Sequence, residues 1–304
     1  MIRFSPKPLM TISPTYKPWP TSVNSLINFK DTGLPHQEDF LLLHNRVGIY
    51  PVAGPHMLLR DPDLLQKHIV KLKIDIEKII PKNFNGNIII DYDVWNPIWK
   101  RTRNDCDGTQ YEGCGDYDDP DYDFQDDWTE TWDEINPEKV LEWKSKKEYE
   151  LSIEKTYEQT SQEFFIETIN SIRNIRPNAK IGFLGHIYSL FHTDGSEDYR
   201  YQIDNLSMDW LYEKIDLLVP RISFELNKSI DGKTGIMVSD YRKIIDNFIT
   251  ESWIIAQRIG DKDKQIFPLY TLQFFNRESP EFKKVLPYPI LQTALDQAYE
   301  NSCH

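Results

Sequence analysis

Two carboxylates one residue apart, Asp91 and Asp93, close the stretch Gly86-Asn87-Ile88-Ile89-Ile90-Asp91-Tyr92-Asp93-Val94-Trp95-Asn96-Pro97-Ile98-Trp99. Side chains alternate along an extended chain, so both acids face one way while Tyr92 faces the other. Carboxylates emerging together at the end of a buried run are costly unless paired, hydrogen-bonded or partly wet. Repulsion between such a pair raises one pKa and leaves the other group ionised, the division of labour that acid/base chemistry uses. The competing structural role is a loop-facing pair that caps the following turn.

The elements around the pair decide between these. The unbroken Ile88–Ile90 run suits a strand buried on both faces, as in a parallel sheet. Before it, Leu9–Ile12 reads as a first strand and Arg46–Pro51 as a second, closed by Pro51 and the Gly54-Pro55 turn. Asp61–Ile80 carries an apolar stripe of Leu64, Leu65, Ile69, Val70, Leu72, Ile76 and Ile79 at helical spacing. After the acid pair, Pro137 to Ile175 is helical, and Lys180–Gly185 is a short strand whose glycines mark close backbone approach. Asn205–Glu213 reads as a short helix and Ile215–Pro220 as a strand. A helix capped by Ser239 runs to Arg258, followed by a strand at Gln265–Tyr270 and a final helix at Pro289–Asn301. Strands alternating with helices, with no internal repeat and no flexible linker, predict one α/β domain over residues 1–304, a (β/α) barrel rather than an open sheet. No Gly-x-Gly-x-x-Gly follows a strand and no phosphate-cradling Gly-x-x-x-x-Gly-Lys loop exists, which disfavours a doubly wound nucleotide-binding fold. A barrel builds its active site at the C-terminal ends of its strands, where Asp91 and Asp93 fall.

Composition narrows the partners. A net charge of −13 argues against nucleic acid, which requires concentrated Lys and Arg. No apolar run is long enough to span a membrane, and the N-terminal residues lack the apolar core of a signal peptide. Between Asn104 and Asn136 lie thirteen Asp and Glu and no Lys or Arg, with neither helical nor strand period, so the segment reads as a solvated acidic loop. Asp116, Asp118, Asp119, Asp121 and Asp123 within it invite a calcium reading, but the spacing of a twelve-residue calcium loop is not met. No zinc-type Cys/His spacing is present, and no cofactor is expected. Cys106 and Cys114 could pair within the loop, leaving Cys303 odd. Oligomeric state is not legible.

The Gly86–Pro97 pattern resembles the catalytic strand of the hyaluronidase family of glycoside hydrolases. Weaker similarity runs through Asp39-Phe40 to Pro51, the Phe164-Phe165 helix, Gly182-Phe183-Leu184-Gly185, Leu211–Pro220 and Phe267–Tyr270. The resemblance implies a distorted barrel of about seven strands. It implies a polysaccharide substrate, cleaved at N-acetylhexosamine linkages in hyaluronan or chondroitin-like chains by a substrate-assisted retaining mechanism. In that scheme the substrate's acetamido oxygen attacks the anomeric carbon, the second acid of the pattern protonates the leaving oxygen, and the first holds the acetamido group. Carried over, Asp93 is the donor and Asp91 the orienting carboxylate. The family's donor is Glu, so Asp93 falls on the order of 1 Å short, and a misplacement of that size can cost about 100-fold. Asn96 stands where the family has Arg, Leu184 and Ser223 or Phe224 where it has Tyr, and the family's last strand is expected to be missing from this chain. The resemblance also implies a secreted or lysosomal protein.

Further substrate contacts are expected from Tyr92, Trp95, Tyr188, Arg221 and Tyr270. For Trp95 and Trp99, packing of the strand-to-loop corner competes with sugar stacking and is the favoured role. Arg221 could meet a substrate carboxylate or form a surface salt bridge. His186 reads as a satisfied polar residue rather than a base. Asn205-Leu206-Ser207 and Asn227-Lys228-Ser229 are glycosylation sequons. Two other functions remain open on the residues alone: a non-catalytic carbohydrate-binding barrel, and a barrel hydrolase acting on a neutral glycan, which the negative charge would favour.

Overall fold

The computed structural model describes residues 40–44, 47–51, 58, 61–92, 95–99, 101, 146–191, 197–224, 238–261, 264–274 and 292. The expected strand at Leu9–Ile12, the acidic segment, the three cysteines, the Asn227 sequon, Asp93 and, but for Gln292, the final helix lie outside them. The described residues fall into two compact units, and the chain passes from one to the other after His44, Phe84, Asp91 and Asn178.

The first unit holds the strands: β1 (Phe40–His44), β2 (Asn87–Asp91), β3 (Lys180–Leu184), β4 (Leu217–Val219), β5 (Arg221–Phe224), β6 (Gln265–Ile266) and β7 (Leu269–Phe274). All pairings are parallel, β1 to β2, β2 to β3, β3 to β4, β4 to β6 and β5 to β7. The last two pairings are one. Leu218 faces Ile266 and Arg221 faces Leu269 in the same register. The Phe267 N–H donates to the Leu218 carbonyl at 2.7 Å and the Leu269 N–H to the Pro220 carbonyl at 3.0 Å. Pro220 and Pro268, which have no N–H, interrupt the ladder without ending the strands. Among the described residues the sheet is therefore five parallel strands placed in chain order. A doubly wound sheet reverses its order at a switch point; a barrel winds in one direction, as here.

Alternation sets the faces. Ile89, Leu184, Leu217, Val219, Phe267 and Leu269 form one buried cluster on one face of the sheet. Gly182 belongs to it: a Cβ there would lie 2.8 Å from Val219 Cγ2 and 2.9 Å from the Leu217 carbonyl oxygen, so only glycine fits. Asp91 follows Ile89 by two residues and Arg221 follows Val219 by two, so both lie on this face, Asp91 as the last residue of β2 and Arg221 as the first of β5. The same unit holds α3 (Tyr201–Ser207), α4 (Asp209–Tyr212) and α5 (Val238–Arg258). α5 lays the buried Ile244, Ile245, Phe248 and Ile255 on β5 and β6.

In the second unit α1 (Leu64–Ile79) packs on α2 (Lys146–Ile175). Leu72, Ile76, Phe164, Phe165, Ile169 and Ile172 fill the space, each at most 1% exposed. The Arg176 guanidinium, 4% exposed, donates to the Ile80 carbonyl just after α1 and so satisfies a helix-end acceptor.

Four sequence expectations change. The second strand is Phe40–His44, not Arg46–Pro51. Residues 47–51 cannot join a ladder because their donors are taken: Gly48 N–H by the Asp75 carboxylate at 3.0 Å and Ile49 N–H by His68 Nδ1 at 3.0 Å. The strand ending at Pro220 resumes as β5. The helix expected over Asn205–Glu213 is two short helices, α3 beginning earlier at Tyr201 and breaking at Met208. Ser239 lies inside the first turn of α5 rather than capping it.

Candidate active site

β2 carries Asp91 out of the core. Its carboxylate, 5% exposed, accepts from Arg221 Nη2 at 2.6 Å across 130 residues of chain. A charge-assisted bond of this length, between a nearly buried acid and a guanidinium 27% exposed, answers the cost of bringing a carboxylate to a strand end. For Arg221 the structure shows an ion pair, though with a nearly buried acid rather than at the surface.

β3 lies between the strands that carry the two partners. Just beyond it the chain turns at Gly185, φ +86°, where a Cβ would lie 3.7 Å from both Cβ and Nε of Arg221. The arginine thus runs over the backbone of Gly185. Next in sequence, His186 is 7% exposed, and its carbonyl accepts from the Tyr212 hydroxyl at 2.7 Å. Burial first, and the positive charge of Arg221 second, lower its pKa to about 4 against the opposing pull of Asp91. The ring beside the ion pair is therefore neutral above mildly acidic pH. Sequence reasoning took His186 for a satisfied polar residue; its nearness to both charges was legible only in the fold.

Tyr188, half-buried, is anchored through its backbone. Its N–H donates to Asn205 Oδ1 at 3.0 Å and its carbonyl accepts from Asn205 Nδ2 at 2.8 Å. Asn205, wholly buried, also accepts from the Tyr212 hydroxyl at 3.0 Å and donates to Glu251 Oε1 at 3.0 Å. A side chain so engaged is a structural clamp, and its burial leaves the Asn205-Leu206-Ser207 sequon without an exposed acceptor.

The remaining expected contacts go elsewhere. Tyr270 follows Leu269 by one residue and so faces away from the Ile89–Leu269 cluster; burial raises its pKa, with Asp246 of α5 the neighbouring charge. In the second unit, Tyr92 is 2% exposed, stacks on Tyr50 with centroids 4.7 Å apart, and shares a 3.0 Å hydrogen bond with Thr168. Trp95, 3% exposed, donates from Nε1 to the Tyr157 hydroxyl at 2.9 Å and packs on Phe164 and Phe165. Trp99, 6% exposed, meets Tyr157 edge-on. At this burial the three rings are core, as favoured for both tryptophans. Asn96 holds a turn, its Oδ1 accepting from the Ile98 N–H at 3.0 Å. Among the described residues no cluster of His, Cys, Asp and Glu is arranged to hold a metal ion, and no helix is long and apolar enough to cross a membrane.

Comparison with known proteins points one way. The model of the family described as hyaluronidase matches residues 20–112, a span that includes β1, β2 and both acids. A chondroitin hydrolase of Caenorhabditis elegans is 28% identical over 196 residues, 60% of this chain and 38% of that protein. A hyaluronidase of Apis mellifera is 20% identical over 235 residues, covering 72% of this chain and 52% of that one. The chain thus spans about half the length of the curated relatives it matches or less. The crystal structure of bee venom hyaluronidase superposes with a TM-score of 0.68 at 17% identity, over 92% of this chain and 84% of that one. A second structure of that enzyme, in complex with a hyaluronic acid tetramer, gives a TM-score of 0.63 at 16% identity. The likeness shows the fold, that of the bee venom hyaluronidase barrel, and the sequence matches show similarity to hyaluronidases, carried by the family model over residues 20–112.

Proposed function

We propose that the protein is a glycoside hydrolase of hyaluronidase type, cutting within hyaluronan or chondroitin-like chains at N-acetylhexosamine linkages. The observation that carries this reading is Asp91: a nearly buried, arginine-held carboxylate on the face of the parallel sheet that carries the Ile89–Leu269 cluster, at the C-terminal end of the strand that the family model matches. Asp91 orients the substrate's acetamido group and steadies the positive charge that develops as its oxygen attacks the anomeric carbon. Asp93 donates the proton to the departing glycosidic oxygen and afterwards takes one from water. No metal or cofactor enters. The relatives that act on hyaluronan and chondroitin support this substrate class over a neutral glycan.

The test is a digestion of hyaluronan and chondroitin followed by size-exclusion chromatography and proton NMR. An endo-acting, substrate-assisted enzyme shortens the polymer steeply at low conversion and releases the β-anomer first. Early release of the α-anomer, or of single sugars from a chain end, contradicts the mechanism. Binding without cleavage assigns the protein to carbohydrate recognition.

A further inference from the structure

Arg221 was expected either to meet substrate or to pair within the protein, and its geometry supports a more specific task. It leaves β5 on the same face as Asp91, but β3 separates the two strands, so the guanidinium must cross the end of β3 to reach the acid. The crossing is built for it. Gly185 adopts a φ of +86° and presents no side chain where Arg221 passes, and the Gly185 N–H is tied to the Val219 carbonyl at 3.1 Å on the strand leading to Arg221. The contact is 2.6 Å long on a carboxylate only 5% exposed, and the neighbouring ring of His186 is itself buried. A surface salt bridge has none of these supports.

We propose that Arg221 is a positioning residue for Asp91: reaching over Gly185, it keeps that carboxylate ionised and in one rotamer at the sheet's C-terminal end, which makes Asp91 the fixed anion of the site and excludes it as proton donor. This rests on the hydrolase reading given above, and it deepens that reading by dividing the two acids through a third residue. It also removes Arg221 from the groups that bind a substrate uronate.

The test compares wild type with R221Q and R221K, using 13C NMR of carboxyl-labelled aspartate, with D91N identifying the Asp91 resonance. Losing the cation raises the midpoint of the Asp91 titration in R221Q by about one unit or more, as loss of an opposite charge at this distance does. R221K, which keeps the charge and loses the planar fork, leaves the midpoint near the wild-type value. A midpoint unmoved in R221Q overturns the proposal. These measurements need no turnover, so they stand if the hydrolase reading fails. Where turnover is seen, R221K lowers kcat on hyaluronan about ten-fold with KM unchanged, and in R221Q the acid limb of the kcat profile moves up with the Asp91 midpoint. A rise in KM for hyaluronan alone, absent for uncharged chitin-type oligosaccharides, assigns Arg221 to substrate and also overturns the proposal, including where R221Q does not fold and only R221K can be measured.

Discussion

Acid should destabilise this protein through His68, and the effect can be worked from its surroundings. His68 is fully buried on α1. Its Nε2 lies 3.0 Å from Thr168 Oγ1, and the Thr168 hydroxyl in turn donates to the Phe164 carbonyl at 2.8 Å. That direction leaves Nε2–H as the donor and Nδ1 as the acceptor of the Ile49 N–H at 3.0 Å. A second proton would sit on Nδ1, which also lies 3.0 Å from the Ile49 carbonyl oxygen, so what opposes it is burial rather than the want of an acceptor. Burial, the largest cause, lowers the pKa to about 4 from 6.5, with the Ile49 backbone and Asp75 pulling the other way. The native state therefore binds its proton far below the point where the unfolded chain does. Stability is fully present above about pH 6.5 and is lost as pH falls towards 4. Between pH 7.5 and 4.5 this one imidazole removes about 2 to 3 kcal/mol. Urea denaturation at the two pH values measures it. In His68→Gln, which cannot titrate, the acid loss should be smaller than in wild type by that amount, whatever the variant's stability at pH 7.5. Parallel acid losses in the two proteins would refute the reasoning.

Other outcomes follow from the same coordinates. Gly182→Ala places a methyl 2.8 Å from Val219 Cγ2 and 2.9 Å from a backbone oxygen that cannot yield, so it should destabilise by about 1–3 kcal/mol in chemical denaturation. Gly48→Ala is worse placed, with φ +75° and a Cβ 2.4 Å from the His68 ring, and should fold poorly or not at all, read by circular dichroism. Asn205→Ala removes the acceptor of the Tyr188 N–H and the donor to both the Tyr188 carbonyl and Glu251, and should cost about 1–3 kcal/mol. Folded material secreted from a glycosylating host should carry no glycan at Asn205, which peptide mass spectrometry reads directly.

Much of the site was legible because it rests on short-range pattern. The Ile88–Ile90 run announced a strand buried on both faces, and the two glycines of Lys180–Gly185 announced close approach, realised as the Gly182 contacts and the Arg221 crossing. What sequence could not supply was long-range pairing. Nothing local to Arg221 says that it turns to Asp91, 130 residues away, rather than to a ligand. Phe40–His44 rather than Arg46–Pro51 forms the strand, since the donors of Gly48 and Ile49 are claimed by side chains 27 and 19 residues later. Tyr270, expected at the site, is sent to the other face by parity alone, which is fixed once Leu269 lies in the Ile89–Leu269 cluster.

The central claim is that the acid pair closing the Ile88–Ile90 strand performs hydrolysis, with Asp93 as the proton donor. It is tested most directly by the rate of reducing-end release from hyaluronan by wild type, Asp93→Asn and Asp93→Glu, each shown to be folded by circular dichroism. The account predicts that Asp93→Asn loses activity by about 100-fold or more, as expected for loss of a general acid, while Asp93→Glu, which regains the family's reach, keeps or raises it. Cleavage that survives Asp93→Asn at the wild-type rate would contradict the account.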